Sequence, residues 1–352
     1  MPAMRVFTLL AVLATTVASA TEPDLSAFAH LPADPPPDEI VRGIHYWISN
    51  ENQLDLFHDA VKDKGGIYLG VGTDQNYLLA AWARAEVLVL LDFDQSVVDL
   101  HRVYRVMFRA AQGPEDFLRL WRLQSRREVL RLIEEGYADP KERASALRAY
   151  GKARWAVERR LKRVVARMAQ VSLPCFLVDA DQYAYLRRLF LEDKVFMVRG
   201  DLTAQRSVSA VARAAEKAGK KVGVLYLSNA EQYFPYGEQY RSNIRALPLD
   251  EGSVVVRTSG QRGLSHVKGT YYHYNTQSGA SFVAWLADAK TRDVRTMLRF
   301  APDSGRVHGL SRLDLGPDEA RETARQKLLA KRPVRKGKHS RGAPWVGAEA
   351  VP

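Results

Sequence analysis

The chain has 352 residues, of which 46% are hydrophobic and 26% are charged, an ordinary composition for one large globular domain or two small ones. The single cysteine, Cys175, excludes an intrachain disulfide and lies in an apolar run, where we expect a buried thiol. The net charge of +12 is concentrated at the carboxyl end, where nine basic and two acidic residues occur from Arg321 onward. No recognition module accompanies this charge, so we expect no nucleic-acid binding.

Residues 1–20 have the pattern of a secretory signal peptide, with Arg5, an apolar core and the small residues Ala18-Ser19-Ala20. The apolar core is roughly a dozen residues long, too short to span a bilayer comfortably, and an uncleaved anchor is the alternative. We therefore expect a periplasmic or secreted protein. The proline-rich residues 21–40 are predicted to form a stiff linker between the signal and the fold.

Residues 41–112 contain the clearest motif of the chain. An apolar run ends in Gly70-Val71-Gly72, a helix-like segment follows, and a second apolar run ends at Asp92. This is the order of a nucleotide-binding βαβ unit, in which glycines let the backbone approach the ligand and the acid accepts ribose hydroxyls. The predicted elements are strand Ile67–Gly70, helix Gln75–Arg84, strand Val87–Leu91 and helix Ser96–Arg109.

Residues 113–170 are predicted to form a helical insertion, because leucine, valine and isoleucine recur at three- and four-residue spacing. We expect its arginine-rich face to be solvated, and the arginines are Arg119, Arg122, Arg126, Arg127 and Arg131. Residues 171–316 return to alternating strands and helices. The predicted strands are Val195–Val198, Val222–Leu227, Gly252–Arg257 and Thr270–Asn275, followed by a hairpin of Thr296–Phe300 and Val307–Leu313 across Pro302-Asp303-Ser304-Gly305.

These repeated units predict an α/β fold with a doubly wound, mainly parallel sheet and an antiparallel C-terminal hairpin. Residues 317–352 mix Lys, Arg, Gly and Pro without periodicity, so we expect a basic disordered tail. Such a tail either contacts an anionic surface, such as lipid head groups or envelope polymers, or only keeps the chain in solution. The sequence does not indicate an oligomeric state.

The segments GVGTDQNY, LLDFDQ, YLSNAEQY and VVVRTSG, on five alternating strands, resemble an uncharacterised bacterial branch of the class I S-adenosylmethionine-dependent methyltransferases. The resemblance implies a Rossmann-like fold with S-adenosylmethionine as cofactor. It assigns cofactor contacts to Gly70, Gly72, Thr73, Asp74, Asp92 and Asp201. In this assignment Asp92 holds the ribose hydroxyls and Asp201 contacts the adenine amine. Asp74 replaces the third glycine of the family motif, and we expect it to meet the α-amino group of the cofactor.

The resemblance places the catalytic, acceptor-side residues after the fourth strand, at Asn229, Glu231 and Tyr233. Methyl transfer from a sulfonium mainly needs alignment of donor and acceptor, and an amine or hydroxyl acceptor also needs a base. The candidates for that base are Glu231, Tyr233, His45 and His273. The acceptor is expected to be a small molecule or an envelope component.

The cofactor-side and acceptor-side positions follow the carboxyl ends of parallel strands. Open α/β sheets bind ligands at that edge, so we expect Gly72, Asp92, Asp201 and Asn229 to line one pocket. Two alternatives stay open. The run VLLDFDQSV also resembles the first motif of haloacid-dehalogenase-type phosphatases, with Asp92 as nucleophile and Asp94 as acid/base beside Mg²⁺. The other is a non-catalytic ligand- or envelope-binding protein, because an exported enzyme would lack its cytoplasmic methyl donor.

Overall fold

The computed structural model describes residues 23–36, 45–260, 263–301 and 308–330. The predicted signal peptide, residues 1–20, lies outside the described residues. Among those described, no helix combines the length and the apolar composition that crossing a membrane requires.

A seven-stranded sheet forms the centre of the molecule, in the order β3-β2-β1-β4-β5-β6-β7. The strands are β1 (Ile67–Val71), β2 (Val87–Asp92), β3 (Val195–Arg199), β4 (Val222–Ser228), β5 (Val254–Ser259), β6 (His273–Ser278) and β7 (Leu310–Arg312). The first five are parallel, β6 pairs antiparallel with β5, and β7 pairs parallel with β6. The strands β1, β2 and β4 are nearly continuous runs of buried Val, Leu and Ile, as expected for strands covered on both faces.

Helices cover both faces of this sheet. They are α1 (Ser26–Ala29), α2 (His58–Val61), α3 (Gln75–Ala83), α4 (Gln95–Ala110), α5 (Pro114–Leu120), α6 (Arg126–Gly136), α7 (Pro140–Gln170), α8 (Ala180–Leu191), α9 (Ser207–Lys217), α10 (Glu238–Ala246), α11 (Gly279–Ala287), α12 (Val294–Leu298) and α13 (Pro317–Ala330). One core contains α3, α4, α7 and α8, and the other contains α9, α10 and α11. Alternate strand residues divide between them, so Leu88 and Leu90 face the first core, and Val87 and Val89 face the second.

The chain order creates a topological switch point between β1 and β4. From β1 the chain proceeds outward to β2 and β3, and it then returns through α9 to β4 on the other side of β1. Ligands of open α/β sheets bind outside the carboxyl ends of the strands at such a point. We call the edge where β1 to β5 end the carboxyl edge.

The prediction of a C-terminal hairpin is wrong. Residues 294–298 form α12, whose N-cap Asp293 accepts a hydrogen bond from the Thr296 backbone N–H at 2.7 Å. The antiparallel strand is β6, and residues 302–307 lie outside the described part of the chain. The run of Val, Met and Leu in this segment is apolar enough for either a strand or a helix, and the cap decides between them.

The tail prediction is also wrong over residues 317–330, which form α13. Acidic Asp318 and Glu319 occupy its first turn, and Arg325 pairs with Glu322 one turn before it. Residues 331–352 lie outside the described residues.

The described part of the predicted linker is anchored to the fold at two buried residues. Phe28 is buried and stacks on Phe196 with ring centroids 5.3 Å apart, and the Asp34 side chain is buried as well. This segment therefore belongs to the packed domain and is not a spacer.

Candidate functional site

The carboxyl edge brings the four predicted strand-end positions together. The Gly72 N–H donates to the Leu91 carbonyl at 3.3 Å, and the Gly200 N–H donates to the Asp92 carbonyl at 2.9 Å. Asp201, Asp92, Gly72 and Asn229 thus lie at the ends of four adjacent strands, which are β3, β2, β1 and β4 in that order. Three strand spacings correspond to about 14 Å, which a nucleoside with an attached side chain can bridge.

The glycine turn is filled by side chains of α3. A Cβ on Gly70 would lie 2.1 Å from Asn76 Oδ1, and a Cβ on Gly72 would lie 2.3 Å from Gln75 Nε2. Gly72 has φ +90°, a region that other residues rarely adopt. Internal packing therefore requires glycine at position 70, and the backbone conformation requires it at position 72, where a ligand that approaches the Cα also meets the Gln75 amide.

Asp74 and Thr73 serve internal contacts. Asp74 Oδ2 accepts from Arg160 Nε at 2.8 Å, and its Oδ1 accepts from the Ser49 N–H at 2.9 Å. The buried Thr73 hydroxyl donates to Asp74 Oδ1 or to Gln75 Oε1. Because both Asp74 oxygens are engaged, the carboxylate ties the helical insertion to the β1 turn.

Asp92 and Asp201 are both partly exposed acids of this edge, and Asp92 is the one whose pKa is raised. Its side chain is partly exposed, Oδ1 accepts from the Asp94 N–H at 2.8 Å, and no cation among the described residues pairs with it. Loss of solvation raises the pKa of Asp92 to about 7, nearby Asp94 adds to the rise, and the backbone N–H groups of Asp94 and Gly72 oppose it. A carboxyl group whose pKa is raised by loss of solvation, and which lies beside a glycine turn, is typical of a ligand site.

The raised pKa predicts a pH-dependent stability difference between wild type and Asp92→Asn. The folded protein binds a proton at Asp92 up to about pH 7, whereas the unfolded chain releases it near its ordinary value of 3.8. The contribution of Asp92 to stability is therefore fully present below pH 3.8 and is lost as the pH rises through about 7. Between about pH 4 and pH 8, we expect the free energy of unfolding of Asp92→Asn to rise by about 2–4 kcal/mol relative to that of wild type. This range is discounted for the partial exposure of Asp92.

Urea denaturation across this pH range measures the difference. The exposed Asp181 on α8 provides the control, and Asp181→Asn should parallel the wild type. A constant difference between Asp92→Asn and wild type at all pH values would contradict the assigned environment of Asp92.

Asp94 caps α4. Its Oδ1 accepts from the Ser96 N–H at 2.8 Å, and its Oδ2 lies 2.8 Å from His45 Nδ1. The phosphatase alternative needs this carboxyl for acid/base work, yet both of its oxygens already have partners. Within the described ranges, no group of three or more His, Cys, Asp or Glu side chains is arranged to hold a metal ion.

Asp201 follows β3 and lies beside the buried carboxylate of Asp34. Its Oδ1 accepts from the Thr203 N–H and hydroxyl, both at 2.7 Å. The buried Asp34 carboxylate accepts from the N–H groups of Asp201, Arg206 and Ser207, at the first turn of α9. The amino end of α9 thus binds an acid of the chain itself.

A neutral polar cluster follows β4. Asn229 Nδ2 donates to the Tyr272 hydroxyl at 3.0 Å and to the Tyr233 hydroxyl at 3.3 Å. Asn50 Nδ2 also donates to the Tyr272 hydroxyl, at 3.1 Å. Burial raises the pKa of Tyr272 to about 12, so this phenol stays protonated. The sequence singles out Asn229 and Tyr233 but does not pair them with Asn50 and Tyr272, because residues so far apart in the chain give no pattern.

Two predicted bases are placed away from solvent. Glu231 is 2% exposed, its Oε2 lies 2.6 Å from Arg257 Nε, and its Oε1 accepts from the hydroxyls of Tyr236 and Tyr240. His273 is also buried, with Nε2 2.7 Å from Ser311 Oγ. The structure therefore contradicts the assignment of Glu231 as a catalytic residue, because its carboxylate neutralises a buried guanidinium.

Glu51 occupies the switch point itself. The carboxyl group is 1% exposed and accepts from Ser228 Oγ at 2.9 Å, from Thr258 Oγ1 at 2.5 Å and from the Tyr226 hydroxyl. Burial raises its pKa, although these hydroxyl donors act in the opposite direction. Ser228 has φ +51°, which is unusual for a residue with a side chain. Residues 45–51 thus cross the carboxyl edge.

Exposed aromatic rings surround this edge. Tyr46 is 70% exposed, Phe93 44%, Tyr233 78% and Tyr271 69%. Tyr46 lies within the crossing segment 45–51, Phe93 and Tyr233 come after β2 and β4, and Tyr271 precedes β6. Rings exposed around one edge suit a ligand with a flat or apolar face.

Comparison with known proteins identifies the family but no activity. A search of curated proteins finds no significant match. The family model described as "Domain of unknown function (DUF7790)" matches residues 46–314, which include the whole sheet, the helical insertion and the carboxyl edge. The chain therefore belongs to the DUF7790 family of domains of unknown function.

Proposed function

We propose that the carboxyl edge binds a nucleoside-containing ligand of the S-adenosylmethionine class, with the ribose hydroxyls on Asp92. The observation that carries this proposal is the Asp92 carboxyl group at the end of β2, next to the glycine turn and the exposed Phe93, with a raised pKa and no cation partner among the described residues. Two vicinal hydroxyls can donate to its two oxygens, and Phe93 offers an apolar face for the base. The partly exposed Asp92 carboxyl group fits a ribose better than the filled turn at Gly72 fits a methionine chain.

Methyl transfer is the reaction that we propose for such a ligand, since S-adenosylmethionine supplies an activated methyl group. The chain would then bind and align the reactants, with Asp92 orienting the ribose and the Asn229–Tyr272 pair facing the acceptor side. The filled turn and the inserted Glu51 favour a second candidate, a binding protein that holds the nucleoside without turnover.

Calorimetry with S-adenosylhomocysteine, adenosine and 2′-deoxyadenosine tests the binding. A site that uses the diol should bind adenosine at least about tenfold more tightly than the deoxynucleoside. Asp92→Ala should weaken binding of S-adenosylhomocysteine by about 10- to 100-fold, and the exposed Asp181→Ala should not change it.

Affinity should also depend on pH. The hydroxyls donate to the ionised form of Asp92, so affinity should rise by up to about tenfold per pH unit and level off near pH 7. Absence of heat with all three ligands would contradict the proposal. Binding without any methyl transfer from S-adenosylmethionine to acceptor extracts would favour the non-catalytic candidate.

A further inference from the structure

The outer face of the helical insertion carries a basic stripe without acids. At 100° per residue, Lys141, Arg148, Lys152, Trp155, Arg159, Lys162 and Arg163 fall within about 100° of the α7 circumference. The two acids of α7 in this region, Glu142 and Glu158, lie outside that sector. All seven stripe residues are exposed.

The cations of this stripe are mostly unpaired. Lys162 pairs with Glu158, and Lys141 lies in the first turn of the helix. Within the described part of the chain, no salt bridge involves Arg148, Lys152, Arg159 or Arg163. Arg148 and Arg163 are about 22 Å apart along the axis, so the charge forms a line on one rigid element.

An aromatic side chain projects within this charge. Trp155 is 60% exposed, with the Arg159 guanidinium 4.4 Å from its ring centroid. The stripe therefore combines several cations with one exposed indole ring on a single helix face.

We propose that the α7 stripe binds an anionic phospholipid membrane peripherally. Each basic residue near such a surface contributes favourably, and tryptophan prefers the head-group region. Single-stranded nucleic acid is less well matched, since it needs a groove with several stacking rings, and this surface is a convex helix with one ring. The inference is independent of the proposed ligand site.

Sedimentation with phosphatidylcholine vesicles, with and without about 30% phosphatidylglycerol, tests this surface in the full chain. We expect binding only to the anionic vesicles, with loss in high salt. Arg148→Glu/Arg159→Glu should weaken it at least about tenfold. The matched control Arg213→Glu/Arg245→Glu makes the same charge change on α9 and α10, at the other face of the sheet, and should weaken it about threefold or less.

Trp155 gives a second readout. A blue shift of tryptophan emission on vesicle addition should occur in wild type and disappear in Trp155→Phe, which keeps the helix and all charges. Equal losses for the two double variants would assign the attraction to net charge or to the basic tail and overturn the proposal. Preference for an oligonucleotide over anionic vesicles would also overturn it.

Discussion

Glu231→Ala is expected to lower the free energy of unfolding by about 3–5 kcal/mol, because it leaves the Arg257 guanidinium uncompensated in the core. Arg257 is fully buried, and its Nη1 donates to Asn275 Oδ1 and Gln277 Oε1, both at 2.8 Å. These neutral acceptors do not replace the charge of Glu231. The hydroxyls of Tyr236 and Tyr240 would lose their acceptor as well.

Denaturant titration measures this loss, and the exposed Glu238→Ala on α10 is the matched control, expected within about 0.5 kcal/mol of wild type. Glu231→Gln keeps an acceptor for the two tyrosines and should lose less stability than Glu231→Ala. A fully stable Glu231→Ala that had lost methyl transfer would restore the catalytic assignment and refute the structural one.

Arg160→Met is expected to lower the free energy of unfolding by about 3–5 kcal/mol, because it leaves the Asp74 carboxylate buried without its cation. Arg160 also donates to the Glu51 carbonyl at 2.8 Å and to Asn52 Oδ1 at 3.1 Å. This single side chain therefore joins α7, the crossing segment 45–51 and the β1 turn. The double variant Asp74→Asn/Arg160→Met removes both charges and should recover part of the loss.

The neighbouring Arg163→Met is the control, because Arg163 is exposed on the same helix. Hydrogen exchange should locate the effect, with protection lost in residues 45–51 and in the first turn of α3. Unchanged exchange in the crossing segment would show that Arg160 does not hold it.

The sequence allowed the parallel part of the sheet to be predicted, for a physical reason. Strands β1, β2 and β4 are apolar runs that end in Gly72, Asp92 and Ser228-Asn229, so both the strands and their ends have local signals. Parallel pairing then places those ends on one edge, which is why the sequence could place Asp92 and Asn229 at the same edge.

The contacts that define the chemistry of that edge have no local signal. Arg160 and Asp74 are 86 residues apart, and Glu51 and Ser228 are 177 apart. The sequence positions of Asp74 and Glu231 predicted contacts with the reactants. In the fold, guanidinium groups from other parts of the chain contact and neutralise both carboxylates. Asp34 lies in a proline-rich segment whose composition predicts a linker. Its carboxylate nevertheless accepts hydrogen bonds at the amino end of α9, a contact that composition cannot indicate.

A carbon-13 NMR titration of the Asp92 carboxyl group, with and without S-adenosylhomocysteine, tests the ligand site most directly. The resonance is identified by its absence in Asp92→Asn. We expect a pKa near 7 in the free protein, as its environment implies, and a clear fall when ribose hydroxyls donate to the carboxylate. An Asp92 pKa that the ligand leaves unchanged at saturation would contradict the ribose contact and, with it, the proposed function.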